Sequence, residues 1–153
     1  MSKPYLRDRP FVQFNFLVDF GVGTGPDAGF QECSNIGMEV TVAEYRNGND
    51  MENSVRKITG LNKSTDVTLK RGIIGSTTLY DWLDKIRNGD NTSQEALRKV
   101  TITLQNEDHT TPVLTWTLQK ARIIKYTCGP LNAKGTDVAM EEMVLAYERL
   151  TVE

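Results

Sequence analysis

Apolar and polar residues alternate along several short segments of this chain, and this period of two limits its possible folds more than any other feature. In the segment FVQFNFLVDF, the apolar residues of one parity are Val12, Phe14, Phe16, Val18 and Phe20. Residues of the other parity include Gln13, Asn15 and Asp19. Successive side chains of a β-strand point to opposite faces, so this pattern predicts a strand with one buried face.

The same alternation predicts strands elsewhere in the chain. In GMEVTVAEY, the residues expected on the buried face are Met38, Val40 and Val42. Further predicted strands carry Val67 and Leu69, then Val100, Ile102 and Leu104, then Leu114, Trp116 and Leu118. The polar segment NEDHTT connects the last two and is too short for a parallel crossover, so an antiparallel hairpin is predicted there.

One segment follows a helical period instead. Leu79, Trp82, Leu83 and Ile86 are spaced as i, i+3, i+4 and i+7, the pattern of an amphipathic helix. Ser76, Thr77 and Thr78 offer hydroxyl groups for an N-cap, and Gly89 predicts the C-terminal end. The sequence therefore predicts a mainly β (α+β) fold with one flanking α-helix.

Periodicity does not decide the structure of the C-terminal segment VAMEEMVLAYERL. Met140, Met143, Val144, Tyr147 and Leu150 suit a helix. A strand would instead have two largely apolar faces and would be buried on both sides. Helix and strand both remain open at this point.

Composition sets the class of protein. With 153 residues, the chain is long enough for one domain with its own core, and we expect residues 1–153 to form it. The 18 basic and 20 acidic side chains are nearly balanced, which argues against a nucleic-acid or anionic-membrane surface. Neither a signal peptide nor an apolar run of membrane-spanning length is present in the sequence, so we expect cytoplasmic synthesis and no membrane binding by the subunit. The separated Cys33 and Cys128 lack zinc-site spacing, and free thiols are favoured over a disulfide.

The sequence offers little support for catalysis. The single histidine, His109, falls in the polar turn between two predicted strands, where a solvated side chain is expected. Gly72 and Gly75 precede the helix as in a phosphate-binding loop, but no lysine follows them. Glu141 and Glu142 are adjacent and would point to opposite faces of a strand. We expect no enzyme activity, no cofactor and no metal site.

Threonine is repeated on the polar faces of the predicted strands. One explanation is the preference of threonine for strands on a solvated sheet face. The other is that these faces join into one neutral polar wall, as a conduit would need. The candidates for a surface that faces a lumen are Glu39, Thr41, Thr101, Thr103, Gln105, Thr115 and Thr117.

Motifs along nearly the whole chain resemble the tail tube proteins of contractile phage tails and of phage-derived contractile injection systems. The opening aromatic strand is followed by FQECSNIGMEV, in which Asn35 replaces a common glycine of the family. The segment VRKITGLNKSTDVTLKRG resembles a sequence motif of the family, and the matching residues are Lys57, Gly60 and Val67–Gly72, in that order. LYDWL and the ending AMEEMVLAYERL complete the resemblance, which is specific because the motifs occur in sequence.

The resemblance implies an antiparallel β-barrel or sandwich with one helix, assembled as a hexameric ring, and it favours a strand for the C-terminal segment. Rings would stack into a tube inside a contractile sheath, with a sheath protein, a baseplate or spike hub and a tube terminator as partners. Cargo protein or DNA would occupy the lumen, and the particle could be released from the cell. If each subunit gives about four strands at about 4.8 Å spacing and about 40° tilt, the inner barrel is about 48 Å across.

The resemblance also suggests roles for two charged surfaces. Residues 46–60 are expected to form a long polar connection that is either a mobile surface loop or an arm to the adjacent subunit or next ring. Its candidate contact residues are Arg46, Asn47, Asp50, Glu52, Arg56 and Lys57. The helix charges Asp81, Asp84, Lys85 and Arg87 are candidates for a surface that faces the sheath.

Two other functions fit the same alternation. A monomeric small β-barrel could bind an apolar ligand inside, and a ring-forming protein could belong to a related secretion system. The first would be a monomer that binds hydrophobic dye, whereas the second would differ from a tail tube mainly in its partners.

Overall fold

The computed structural model describes residues 15–21, 30–49, 51–52, 54–73, 75, 77–89, 92–93, 96–108 and 110–153. Within them the chain forms nine strands and one helix. The first five strands are β1 (Phe16–Asp19), β2 (Phe30–Cys33), β3 (Met38–Tyr45), β4 (Arg56–Ser64) and β5 (Val67–Gly72). Helix α1 (Thr78–Arg87) follows, and then β6 (Arg98–Gln105), β7 (Pro112–Cys128), β8 (Met140–Ala146) and β9 (Arg149–Val152).

All strand pairings of the described residues are antiparallel, as the sequence predicts. The main sheet has the order β1-β6-β7-β8-β5-β2, and β9 pairs with β7. Strands β3 and β4 form a separate two-stranded sheet. Because β1 and β2 stand at opposite ends of the main sheet, the described part of the subunit does not close into a barrel. The predicted strand FVQFNFLVDF is confirmed from Phe16 onwards, whereas its first residues lie outside the described part.

The 17-residue strand β7 links the two halves of the main sheet. Its first part, up to Ala121, pairs with β6 and β9, and its second part, from Arg122, pairs with β8. Just before this change of partner, Lys120 has a φ of +52°, in the left-handed region that residues with a Cβ seldom adopt.

Both halves of the sheet contribute to one core, which helix α1 covers. The fully buried side chains include Val67, Leu69, Leu79, Trp82, Val100, Ile102, Leu118, Ile123, Met143 and Leu145. The Trp82 indole donates a hydrogen bond to the Ala96 carbonyl (2.8 Å), and its ring lies 5.7 Å from that of Phe20. The predicted helical face is therefore confirmed as core. Thr77 occupies the N-cap position without a side-chain cap bond, and Gly89 follows the C-cap with a φ of +93°.

The C-terminal segment, for which periodicity left two structures open, is strand β8 over Met140–Ala146. Met143 and Leu145 are buried on its core face, whereas Val144 on the opposite face is half-buried. The orientations of Glu141 and Glu142 are opposite, as predicted. Cys33 and Cys128 are both free thiols.

Candidate assembly interface

The sheet formed by β3 and β4 is much less buried than the main sheet. All eight residues of β3 are exposed, and Ser64 alone among the nine residues of β4 is half-buried. Isolated two-stranded sheets are at best marginally stable in water. The hairpin therefore lacks the packing that would hold it in place within one subunit.

One face of this hairpin carries an apolar stripe. Met38, Val40 and Val42 share a face of β3 and are 49%, 45% and 46% exposed. The alternation predicts burial of these residues, and within the subunit this prediction is wrong. The alternation has no core to pack against because the hairpin stands apart from the main sheet.

The opposite face of the hairpin contains Glu39 and Thr41, two of the candidates for a lumen surface. Glu39 pairs with Lys63 across the hairpin. A register shift between Val40 and Val42 places an extra residue of β4 opposite Thr41, which is a β-bulge. Bulges bend a strand pair and increase its local twist.

The connection between β3 and β4 is shorter than predicted. Residues 46–60 were expected to form one polar connection, but Arg56 and Lys57 belong to β4 and pair with Tyr45 and Glu44. The prediction is wrong for 56–60 because the apolar residues of β4 are too few to give a clear alternation. The connection itself spans 46–55.

Internal hydrogen bonds shape this connection. The Arg46 guanidinium donates to the carbonyl of Glu52 (3.2 Å), and the Tyr45 hydroxyl donates to the Asn47 side chain. Met51, at the far end, is fully exposed. Asp50, another predicted contact residue, lies outside the described residues.

Four threonines, named here the threonine wall, lie together on one face of the main sheet, although Thr117 among them is only 8% exposed. Thr101 pairs with Thr117, and Thr103 pairs with Thr115, on the face of β6 and β7 opposite the core. Thr151 of β9 extends this row beside Thr117, and the Gln119 amide donates to its hydroxyl (3.3 Å). Gln105 stands at the end of β6, beside Pro112. The sheet thus brings together five of the seven lumen candidates, whereas Glu39 and Thr41 lie on the separate hairpin.

Helix α1 places its predicted charges on the surface. Arg87 forms an ion pair with Asp84, and its guanidinium also donates to the Tyr80 hydroxyl (3.2 Å). These contacts raise the pKa of Arg87, the hydrogen bond with Tyr80 being the largest cause. Asp81 is exposed and accepts a hydrogen bond from the Thr77 hydroxyl (3.2 Å), and Lys85 is half-buried.

A buried polar cluster, which sequence reasoning did not identify, lies beneath the half of the sheet that contains β5 and β8. Arg71 and Glu141 form an ion pair with side chains only 5% and 2% exposed. The Tyr126 hydroxyl donates to the other oxygen of Glu141 (2.9 Å), and Cys128 donates to Tyr126 (3.0 Å). Hydrogen bonding to Cys128, burial and Glu141 together raise the pKa of Tyr126. The sequence alone does not indicate that Glu141, one of two adjacent glutamates, pairs with Arg71, which lies 70 residues away.

This cluster has the character of a structural element. The Arg71 guanidinium lies 5.3 Å from the Phe30 ring centroid, and its Nη2 is buried without a hydrogen-bond partner.

Burial also raises the pKa of Cys33 to about 11, which keeps that thiol protonated and unreactive at neutral pH. No group of three or more potential metal ligands occurs among the described residues.

The family model described as T4-like virus tail tube protein gp19 matches residues 12–151. The chain belongs to this tail tube family. No curated protein matches it. The described part contains no helix of the length and apolar character needed to cross a membrane.

Solved structures agree with the family. A chain of the anti-feeding prophage (AFP) baseplate has a TM-score of 0.79 and 25% identity, with 96% of this chain and 97% of that chain covered. A chain of the sheath-tube complex of the extracellular contractile injection system PVC has a TM-score of 0.79 and 26% identity, with 95% and 93% covered. Hcp1 from Flavobacterium johnsoniae shares only the fold, with a TM-score of 0.54, 11% identity and 91% and 94% covered.

The protein is therefore a structural component of the inner tube of contractile injection systems. This function agrees with the motifs that the sequence carries.

Proposed function

We propose that six copies of this chain form a ring in which each hairpin β3–β4 packs against a neighbouring subunit, and that the rings stack into a tube. The observation that carries this proposal is the hairpin itself. Its apolar stripe, defined by Met38, Val40 and Val42, is exposed in one subunit. A neighbouring copy would supply the apolar cover that makes such a hairpin stable.

The two ends of the main sheet support closure between subunits. Within the described residues, β1 pairs only with β6, and β2 pairs only with β5. Unpaired strand edges favour pairing with another chain, and a closed ring removes them. Sixfold symmetry is supported by the similarity to a chain in the sixfold-symmetrised AFP baseplate. A barrel shared among subunits would replace the single-chain barrel that the subunit lacks.

We propose that the threonine wall lines the lumen of this barrel. Thr101, Thr103, Thr115 and Thr117 lie side by side across β6 and β7 on the face away from the core. A neutral hydroxyl surface binds water and offers a passing molecule no strong charge. Cargo protein or DNA would therefore slide along it, with Glu39 and Thr41 of the hairpin extending the same surface.

Helix α1 covers the other side of the core, so we propose that it faces the sheath. Its exposed charges would select a partner by charge complementarity, which contributes more to specificity than to affinity. The solved relatives come from a baseplate, a tube-terminating cap and a sheath-tube complex, which supports a baseplate, a terminator and a sheath as partners. On this view residues 1–153 form one tail tube domain without enzyme activity, made in the cytoplasm and released within a particle.

The decisive experiment compares two double substitutions on opposite faces of β3. Val40→Lys with Val42→Lys places charges on the apolar stripe, whereas Thr41→Lys with Ala43→Lys adds the same charge to the other face. Size-exclusion chromatography with light scattering and negative-stain microscopy would measure the assembly of each purified protein. We expect rings for the wild type and the second variant, and folded monomers for the first. A monomeric wild type, or rings of the first variant, would contradict the proposal.

The connection 46–55 is proposed to reach the adjacent subunit or the next ring, with Arg46, Asn47, Asp50 and Glu52 among its contacts. Replacing it by Asn-Gly would join Tyr45 and Arg56 through a two-residue turn. We expect a folded subunit whose assembly into tubes is impaired. Tubes of normal length and stability would show that the connection is only a surface loop.

A further inference from the structure

The threonine wall lies on β6 and β7, in a half of the main sheet that β1 and β9 complete. Strand β6 lies between β1 and β7, and β9 pairs with the first part of β7. Strands β8, β5 and β2 attach to the second part of β7 and form the other half. A lumen lined by the threonine wall therefore needs a sheet made of β1, β6, β7 and β9. Among the described residues, β1 pairs only with β6 and β9 only with β7, so these two strands are the edges of that sheet.

The directions of the four strands allow the two edges to join. Each strand is antiparallel to the next, so β1 and β7 run one way and β6 and β9 run the other. Rotation about a ring axis keeps the direction of every strand along that axis. The β9 edge of one copy would therefore meet the β1 edge of the next in antiparallel orientation. A head-to-tail contact of this kind joins two different surfaces and can close a ring.

The backbone groups at the β9 edge point outward from residues on the core side. Glu153 exchanges both backbone hydrogen bonds with Thr115 (2.8 and 2.9 Å). Residues of an antiparallel ladder direct their N–H and C=O groups alternately to the two sides. Leu150 and Val152 therefore direct theirs away from β7. Leu150 lies opposite the buried Leu118, so this parity is that of the core.

The β1 edge has the same parity. The Gln105 N–H donates to the Asn15 carbonyl (2.8 Å), so the alternation directs the backbone groups of Phe16 and Val18 away from β6. Val18 is buried in the core, and Phe16 packs against it. Opposite residues of an antiparallel pair have their side chains on one face. Joining the two edges thus keeps core residues on the core face, whereas a slip of one residue would reverse the faces.

Apolar side chains become uncovered towards the β9 edge. Val18, Ile102, Trp116 and Val152 lie in one row across the four strands. Val18 and Ile102 are 1% and 2% exposed, and Trp116 is half-buried. Val152, in contrast, is 47% exposed. The core of one subunit therefore covers the start of this row and leaves its last side chain in contact with water.

We propose that the β9 edge of each subunit pairs with the β1 edge of a neighbouring copy in the same ring, and that this junction covers Val152. The junction rests on the proposed function, because it needs the ring, and it identifies the two edges that close the ring. Phe16, which is half-buried, supplies apolar surface on the side of the neighbour. Thr151 and Leu17 stay on the face of the threonine wall, so this face continues from one subunit to the next.

A charge on the apolar side of the junction tests this contact. Val152→Glu would bury a carboxylate between the two edges, and we expect it to weaken ring formation at least about tenfold, because an unpaired charge is costly to remove from water. Val138→Glu is the matched control, since Val138 is 74% exposed outside the four strands and the net charge is the same. Circular dichroism would check the fold of both variants, and sedimentation would compare their assembly. Equal assembly of the two variants would overturn the junction.

Cysteine pairs test the two edges directly. Leu17→Cys is combined in turn with Arg149→Cys, Thr151→Cys and Glu153→Cys, because closed barrels stagger their strands and these positions cover three staggers. The side chains share the face of the threonine wall and occupy non-hydrogen-bonded positions of the proposed ladder, where opposite side chains are closest. In a chain that also carries Cys128→Ser, oxidation of assembled rings should give a ladder of covalent multiples from one of these pairs.

Residues of the opposite parity provide the control for cross-linking. Leu17→Cys combined with Leu150→Cys or with Val152→Cys places the two thiols on opposite faces of the junction, so we expect no ladder. Wild-type rings without a ladder from any of the three pairs, or equal ladders from the control pairs, would overturn the junction alone. A wild type that forms no rings would overturn the proposed function.

Discussion

Strand β3 of the hairpin and strand β5 of the main sheet have similar sequence patterns and opposite environments. Val67 and Leu69 alternate with polar residues and are fully buried. Val40 and Val42 alternate in the same way and are 45% and 46% exposed. Alternation therefore indicates that a strand has one apolar face, but it does not indicate whether the core of the same chain covers that face.

The comparison extends to polar groups. On β5 and β8, Arg71 and Glu141 are buried together and reinforced by Tyr126. On the hairpin, charged pairs such as Glu44 with Lys57 lie across from each other in the open. A buried pair depends strongly on both partners, whereas an exposed pair contributes little. The buried pair therefore belongs to the core of the fold, whereas the charged pairs of the hairpin lie on the surface.

The largest expected effect on folding is that of Glu141→Ala. This change leaves Arg71 as an uncompensated buried charge and should lower the free energy of unfolding by about 3–5 kcal/mol. Urea unfolding in the Val40→Lys, Val42→Lys background would measure the isolated subunit. The double change Arg71→Met with Glu141→Leu should recover most of the loss. A cost below about 1 kcal/mol for Glu141→Ala would show that the pair is not needed.

The same substitution in both regions sharpens the contrast. Leu69→Ala opens a cavity in the core and should cost about 3 kcal/mol in unfolding free energy. Leu61→Ala on the hairpin, where the side chain is 84% exposed, should cost less than about 0.5 kcal/mol. Both values come from the same urea experiment. Equal costs would mean that the hairpin is already packed within the monomer.

A smaller change on the stripe should affect assembly without affecting the fold. Val42→Ala removes two methyl groups from a surface that we propose to be covered by a neighbour, a loss of about 1.5 kcal/mol or about tenfold in the association constant. Its unfolding free energy in the monomer should stay within about 0.5 kcal/mol. Sedimentation over a range of concentrations gives the first quantity. An unchanged association constant would place the stripe outside the interface.

The mildest test concerns the two thiols. Cys128 is exposed, whereas burial raises the pKa of Cys33 to about 11. At pH 8, iodoacetamide should therefore modify Cys128 at least about tenfold faster than Cys33, because the thiolate is the reactive form. Mass spectrometry of digested protein would follow both sites. Comparable rates would show that Cys33 is not buried in solution.

The raised pKa of Cys33 also determines the direction in which stability changes with pH. The folded chain holds this proton more tightly than the unfolded chain, whose reference pKa is 9.0. The contribution of Cys33 is therefore fully present below pH 9 and is lost as the pH rises towards about 11. Cys33→Ala should remove this part of the pH dependence.

Much of the fold was predictable because local rules and tertiary packing agree. Val100, Ile102 and Leu118 alternate on strands that are buried on one face only, so the parity predicts the core directly. Trp82 was predictable as well, because the helical period places it on the face of α1 that packs on the core. Strand β4 was missed because Arg56–Ser64 contains few apolar residues, and its pairing with β3 gives it a structure that its own sequence does not indicate.

The assembly surfaces were predictable only in part. Thr101, Thr103, Thr115 and Thr117 were recognised from one repeated residue type on one parity, and the sheet does place them together. The cleft lined by Gly21, Lys99 and Lys120 could not be predicted, since these residues are distant in sequence.

The sequence by itself determined most of the strands, the helix, the parity of the core and the family, because each depends on residue type at short spacing. Only the tertiary structure decided which apolar face is left uncovered, which charges are buried as a pair and where the cleft opens. These features depend on contacts between distant segments, and their free energies arise only when the chain has folded around one core.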